Sequence, residues 1–214
     1  MSLIYASTTL RPSKLELLAE WLPTQAWFSG DAAQLVSLGA YRFDDPEGEV
    51  GLEGHLLRAG GDAVYHVPLT YRGALLEDSE PFLVGTMEHG VLGTRWVSDA
   101  VGDPVYRSVL AAAIAQGGHE AELVTVDASG ETGTRDSAVQ VRGSGVPGAP
   151  VPELWAAEVE NLGGVTRITA PLATLDVWRV LDPALPDAAV PGARVLRATW
   201  PDQLDPVMLA MLTV

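Results

Sequence analysis

The most explicit chemical spacing in the chain is Gly143-Ser144-Gly145-Val146-Pro147-Gly148, a G-x-G-x-x-G run behind an extended stretch from Ala138 to Arg142. Such a loop holds a dinucleotide pyrophosphate only where it opens a helix whose N-terminus faces the phosphates. Pro147, Pro150 and Pro152 fall where that helix would run, so the run reads as a linker. His55, His66, His89 and His119 lack the H-E-x-x-H spacing of a zinc site. His55 and His66 could face one another across a hairpin, but a carboxylate ligand is not in the pattern, and no metal is expected. Ser144 is one residue short of a G-x-S-x-G elbow. The pairs Asp44-Asp45 and Glu77-Asp78 read as solvated turns. Lys14 is the only lysine and there is no cysteine, which counts against Schiff-base, P-loop and kinase-type chemistry and removes thiolate chemistry. Trp21, Trp27, Trp96, Trp155, Trp178 and Trp200 offer faces that stack on sugars, or anchors for a core.

Regular elements must position these groups. Ser13 and Glu16 have capping-box spacing ahead of Leu15, Leu18, Ala19 and Leu22, which share a helical face, and Pro23 ends that helix. Strands are expected at Leu35–Phe43, Gly51–Arg58 and Ala63–Tyr71, the last two joined by the Gly60-Gly61-Asp62 turn. Pro68 inside the third run implies an edge or a bulge. Leu83–Met87 and Val91–Val97 form a further pair about a Glu88-His89-Gly90 turn. A second helix opens at Asp103-Pro104, buries a Val105, Val109, Ala112 and Ala113 stripe, and closes at Gly117-Gly118. Beyond Leu123–Val126 the chain is read as two regions, an α+β region over 1–126 and a mostly β region over 127–214. Strands are expected at Val165–Thr169, Ala173–Leu181 and Arg194–Trp200, with Val207–Val214 a strand or a short buried helix.

Composition sets outer bounds. The 214 residues carry 13 Lys+Arg against 28 Asp+Glu, a formal charge of −15, which disfavours nucleic acid as a partner. Hydrophobic residues at 47% and charged residues at 19% place the chain among globular proteins. No apolar run approaches the ~18 residues of a membrane span, and no basic n-region leads an apolar stretch, so a cytoplasmic protein without membrane contact is expected.

The stretch Trp21-Leu22-Pro23-Thr24-Gln25-Ala26-Trp27-Phe28-Ser29-Gly30 resembles the opening of the actinobacterial maltokinase N-terminal cap. Tyr65–Tyr71, Val84–Val97 and Asp99–Tyr106 look like the same cap as it occurs in maltokinase-like and glucosamine-kinase-like proteins. The resemblance implies a curved antiparallel sheet with a packed helix, a cystatin-like cap. It also implies a kinase-like N-lobe after the cap, to which Asn161–Ile168 and Ala173–Arg179 are similar. Asp176 stands where such a lobe carries its lysine, and no catalytic loop or metal-binding Asp motif follows, so phosphoryl transfer lacks its parts and no cofactor is expected.

The resemblance therefore implies a non-catalytic protein, a regulatory or scaffolding partner of a sugar kinase or another enzyme of α-glucan and trehalose metabolism. A homodimer through Val207–Val214 is a second route to partnership, should that segment be an edge. Two alternatives stand beside it. One is a sugar-binding module lined by Trp27, Tyr71, Arg95 and Trp96, with Asp99 beside them. The other is an enzyme of another kind, working through Asp99, Asp103 and His89, whose simpler roles are capping and turn formation.

Overall fold

The computed structural model describes residues 2–5, 9–126, 132–184 and 192–214. The expected junction of the two regions, at residue 127, lies outside them. Ser13 caps α1 (Lys14–Trp21): its side chain accepts from the Glu16 N–H, while the Glu16 carboxylate accepts from the Ser13 N–H at 2.7 Å. At 8 residues the helix is too short to stand alone, and burial of Leu17, Leu18 and Trp21 carries it.

The surface that buries α1 is an antiparallel sheet built of β2 (Leu10–Arg11), β3 (Leu35–Phe43), β4 (Gly51–Ala59), β5 (Val64–Arg72), β6 (Leu83–His89) and β7 (Gly93–Asp99). Their order across it is β2-β6-β7-β5-β4-β3, and the sheet curls as a half-barrel. The turn expected at Glu88–Gly90 sits slightly later, because His89 is still paired with Gly93.

Pro68 is accommodated in a particular way. β5 pairs with β4 along one side, and on the other it changes partners: Val64 and Tyr65 pair with a short late strand, β14 (Val180–Leu181), and Leu69–Arg72 pair with β7. His66 donates its N–H to the Arg179 carbonyl at 2.9 Å. Two residues on, Pro68 turns its nitrogen to the same side, where β14 has ended and β7 has not begun. The missing N–H therefore costs no ladder bond.

Asp103 caps α2 (Pro104–Gln116) by accepting from the Val105 N–H at 2.9 Å, and Gly117 closes it at φ 70°. Of the expected stripe, Ala113 is buried, while Val105, Val109 and Ala112 are only half-buried. Tyr106, Arg107, Leu110, Ala111, Ile114 and Ala115 are buried with it. The reason is that α2 is covered on two faces, by the first sheet and by a second one, so no single stripe describes it.

The second sheet is antiparallel, in the order β10 (Gln140–Gly143), β15 (Arg194–Trp200), β16 (Gln203–Thr213), β13 (Ala173–Trp178), β12 (Val165–Ala170) and β11 (Glu158–Leu162). A small third sheet pairs β1 (Ser2–Tyr5) in parallel with β8 (Leu123–Val126), which pairs with β9 (Thr132–Arg135). The run expected as one strand over Ala173–Leu181 breaks at Arg179, where the chain leaves the second sheet and joins the first as β14. Val207–Thr213 lies in strand β16 rather than a helix, with β15 along one side and β13 paired to Ala210–Thr213 on the other.

Leu52, Leu56, Tyr41 and Phe43 of the first sheet, α2, and Leu175, Val177, Leu196 and Leu209 of the second sheet share one apolar cluster. A second cluster lies under α1 and includes Leu57, Tyr65, Val67, Leu69 and Val97. The first sheet thus has α1 on one face, and α2 with the second sheet on the other.

The glycine-rich loop is part of this packing. No helix follows it, as its prolines require, but it is no loose linker either. Gly145 donates to the Ile114 carbonyl at 2.9 Å and Val146 to the Ala115 carbonyl at 3.1 Å, so the loop satisfies the last carbonyls of α2. A Cβ on Gly143 would lie 1.9 Å from the Ala113 carbonyl oxygen, and one on Gly145 1.8 Å from that of Ala115. Those two glycines exist for close approach to a helix end.

Candidate functional site

Charged groups collect in two places about the first sheet, one on its α1 side and one reached from both faces. The deeper one is centred on Arg179, which is 0% exposed although it carries a full charge. Its Nη2 donates to both oxygens of Asp99, at 2.9 and 2.7 Å, and its Nε donates to the Thr166 hydroxyl at 2.8 Å. The guanidinium lies over the Trp27 ring, 5.3 Å from its centroid. Arg179 Nη1 and Trp27 Nε1 find no acceptor among the described residues. Burial pushes the Asp99 carboxyl above its ordinary value even against the bonded guanidinium. Such a pair specifies an arrangement more than it adds stability.

His66 adjoins this pair from the neighbouring strand. Its Nδ1 lies 3.1 Å from the Trp178 carbonyl, which can only accept, so Nδ1 carries the proton and Nε2 accepts from the Tyr41 hydroxyl at 2.9 Å. Burial first, and then Arg179, lower its pKa to about 3, so the ring is neutral. His55 and His66 do not face one another, because His55 pairs with Val67 and His66 with Leu56, which puts them on opposite faces of the sheet.

The shallower cluster lies at the N-terminal end of α1. The Glu53 carboxylate binds Lys14 Nζ, meets His55 Nε2 at 3.2 Å and Arg42 Nε at 3.4 Å, and is 8% exposed. Burial opposes its charge, yet Lys14, His55 and Arg42 together hold it well below the usual carboxylate range. His55 Nε2 also lies 3.1 Å from the Tyr71 hydroxyl, and Lys14 sits 5.2 Å from the Tyr71 ring centroid. Burial, and then Glu53, push the Tyr71 phenol well above its usual value.

The structure does not gather Trp27, Tyr71, Arg95, Trp96 and Asp99 into one sugar-lined site. Trp27, at 5% exposure, packs edge-on to Trp21 at 6.0 Å and joins Asp99 only through Arg179. Tyr71 belongs to the shallower cluster. Arg95 donates to the Leu92 carbonyl, and Trp96, the next residue along β7, points to the opposite face. Asp103 and His89 are likewise used locally: Asp103 binds Arg72 at 2.7 and 2.9 Å while capping α2, and His89 Nδ1 accepts from the Val91 and Leu92 N–H groups. Asp176 is 5% exposed and is held by Arg167 at 2.7 and 2.9 Å.

The sequence reading missed Arg179 and Arg107. Arg107 is buried on α2 and donates to the carbonyls of Val101, Gly102 and Trp155. The signal for Arg179 was an arginine inside the apolar run from Leu175 to Leu181, a place where a charge must find a buried partner. A largely apolar groove of about 400 Å3, lined by Pro150, Val151, Pro152, Pro171, Leu172 and Val214 with Glu153 among them, lies away from both clusters.

The curled sheet carrying α1, with its tryptophan-rich approach, is the decisive context for the comparison with known families. Residues 21–103 match the maltokinase N-terminal cap domain. The match runs from the last turn of α1 through β7 and ends at the residue that caps α2. It takes in Trp21–Gly30, Tyr65–Tyr71, Val84–Val97 and Asp99–Asp103. Everything from Pro104 onward, including the stretches read as kinase-lobe-like, lies outside the cap match. No curated protein matches the chain. No helix among the described residues is long and apolar enough to cross a membrane.

Proposed function

We propose that the chain is a non-catalytic module that acts by protein contact, as a regulatory or scaffolding partner of a sugar kinase or another α-glucan enzyme in the cytoplasm. The observation that carries this reading is the fate of its carboxylates. Asp99, Asp103 and Asp176 each accept two guanidinium hydrogen bonds from a dedicated arginine. For Asp103 and Asp176 protonation would forfeit these charge-assisted bonds, and Asp99, though raised by burial, is only 5% exposed, so none is placed as a general base. The cap match supplies the other half of the reading, because that domain is named for its place at the N-terminus of a sugar kinase. The second sheet, read as N-lobe-like with Asp176–Arg167 where the phosphate-binding lysine would be, would serve as the surface that packs on a partner.

The test is a phosphotransfer assay with Mg-ATP and maltose, trehalose or glucosamine, run on the purified protein. No phosphorylated sugar is expected above the uncatalysed background. Product formation that disappears in Asp99→Asn while the fold persists would overturn the reading.

A further inference from the structure

We propose that the Lys14–Arg42–Arg95 end of the cap sheet is a binding site for a small polyanion, a phosphate-bearing metabolite or its carboxylate equivalent. The argument begins with which side chains share a face. Leu69, Val97 and Met87 lie in the cluster beneath α1. Side chains two residues away along each strand point the same way, so Tyr71 on β5, Arg95 on β7 and His89 on β6 face the α1 side too. Arg42 and Glu53 are cross-strand partners, and Lys14 reaches Glu53 from the first residue of α1. Tyr71 pairs with Val97 and Met87 with Arg95, which sets Arg95 one step beyond Tyr71 along the same end of the sheet. Arg95 Nη1 would lie 3.4 Å from a Cβ on Gly73, just past the end of β5.

Three of the chain's 13 basic residues therefore meet at one end of a protein whose formal charge is −15. Glu53 is the carboxylate bonded to Lys14 and Arg42. Among the described residues Arg95 has no such counter-ion: its Nη2 donates to a neutral carbonyl, and its Nε has no acceptor. Burial, and then Arg95, Lys14 and Arg42, depress the His89 pKa, as expected if the three cations share this end of the sheet. Lys14 and Arg42 side chains are each 25% exposed, so an incoming anion can touch them.

Size decides the class of ligand. The Debye length at physiological ionic strength is about 8 Å, so a small anion feels these three cations and little of the distant acidic surface. An acidic protein would be repelled by the rest of the molecule. The inference is independent of the partner reading, since it needs no second protein.

The probe is inorganic pyrophosphate, titrated at low ionic strength while the imidazole resonances of the four histidines are followed by NMR. His89 and His55 should shift saturably, His119 and His66 should not, and added NaCl should weaken the effect. Arg95→Gln should weaken binding about tenfold, and Arg95→Lys should keep most of it. Equal affinity in Arg95→Gln, equal shifts at all four histidines, or no saturable shift would each overturn the proposal. The unliganded spectrum and melting curve of each variant report whether it is folded.

Discussion

Arg179 shows how a charge becomes structural. It comes from the end of β13, bonds Asp99 from the end of β7, and so ties the second sheet to the first through a buried pair. Removing one partner leaves the other charged and buried, so Arg179→Met or Asp99→Asn should each cost about 3–5 kcal/mol in urea unfolding. The double variant Asp99→Leu with Arg179→Met should recover much of that loss, because neither charge is then stranded. Full additivity of the two single losses would show that the pair is not coupled.

His66 belongs to the same scale and sets an acid limit. Its folded pKa of about 3 lies below the 6.5 of the free ring, so between those values the unfolded chain binds more protons than the folded one. Stability should therefore be fully present above about pH 6.5 and fall on acidification through that window, by roughly 1.4 kcal/mol per unit at its steepest. Glu53, also depressed, adds to the loss below its ordinary 4.5, whereas Asp99, raised by burial, acts in the opposite sense above 3.8. Guanidinium melts at pH 7, 6 and 5 should show the decline, and His66→Gln should flatten it. A flat wild-type profile would contradict the neutral, buried assignment.

At the scale of elements, the two helices and most strands were legible because their signals are local. Ser13 with Glu16 and Asp103 with Pro104 act within a single turn, and the Gly60-Gly61-Asp62 hairpin needs no tertiary information. What could not be read depends on partners distant in sequence. The break at Arg179 makes sense only once β5 is seen to lack a neighbour at Val64 and Tyr65. The two-sided burial of α2 requires a second sheet, and β11, with its polar Glu158 and Glu160, carries no apolar alternation to announce a strand. Where Trp27, Tyr71, Arg95, Trp96 and Asp99 sit depends on distant partners in the same way: periodicity marked the strands, but not that Trp27 and Asp99 would meet Arg179 or that Tyr71 would adjoin the Glu53 cluster.

The glycine loop yields an element-scale prediction. Gly145→Ala would drive a methyl group into the Ala115 carbonyl, whereas a Cβ on Gly148, at φ 79°, meets nothing within 4 Å. Gly148→Ala should cost about 1 kcal/mol, the usual strain of a left-handed residue. Gly145→Ala should lower the melting point clearly more, by upwards of about 5 °C, since a backbone shift is forced. Equal effects would mean that the loop does not seat on α2 as described.

For the whole molecule, the cap match and the packing draw different boundaries. Residues 21–103 form a recognisable sheet, yet Tyr41, Phe43, Leu52 and Leu56 of that sheet lie in the cluster built with α2 and the second sheet. The family unit is thus covered on one face by chain that the family match does not include, and its edge at β5 is completed by β14. Asp99, Asp103 and Asp176 are each bonded to an arginine, and the proposed role by protein contact rests on that commitment. The measurement that tests this most directly is sedimentation velocity of the purified protein mixed with the maltokinase of the same organism. The account predicts a faster-sedimenting complex whose kcat/KM for maltose differs from that of the kinase alone. Two species sedimenting independently, with kinase kinetics unchanged, would contradict it.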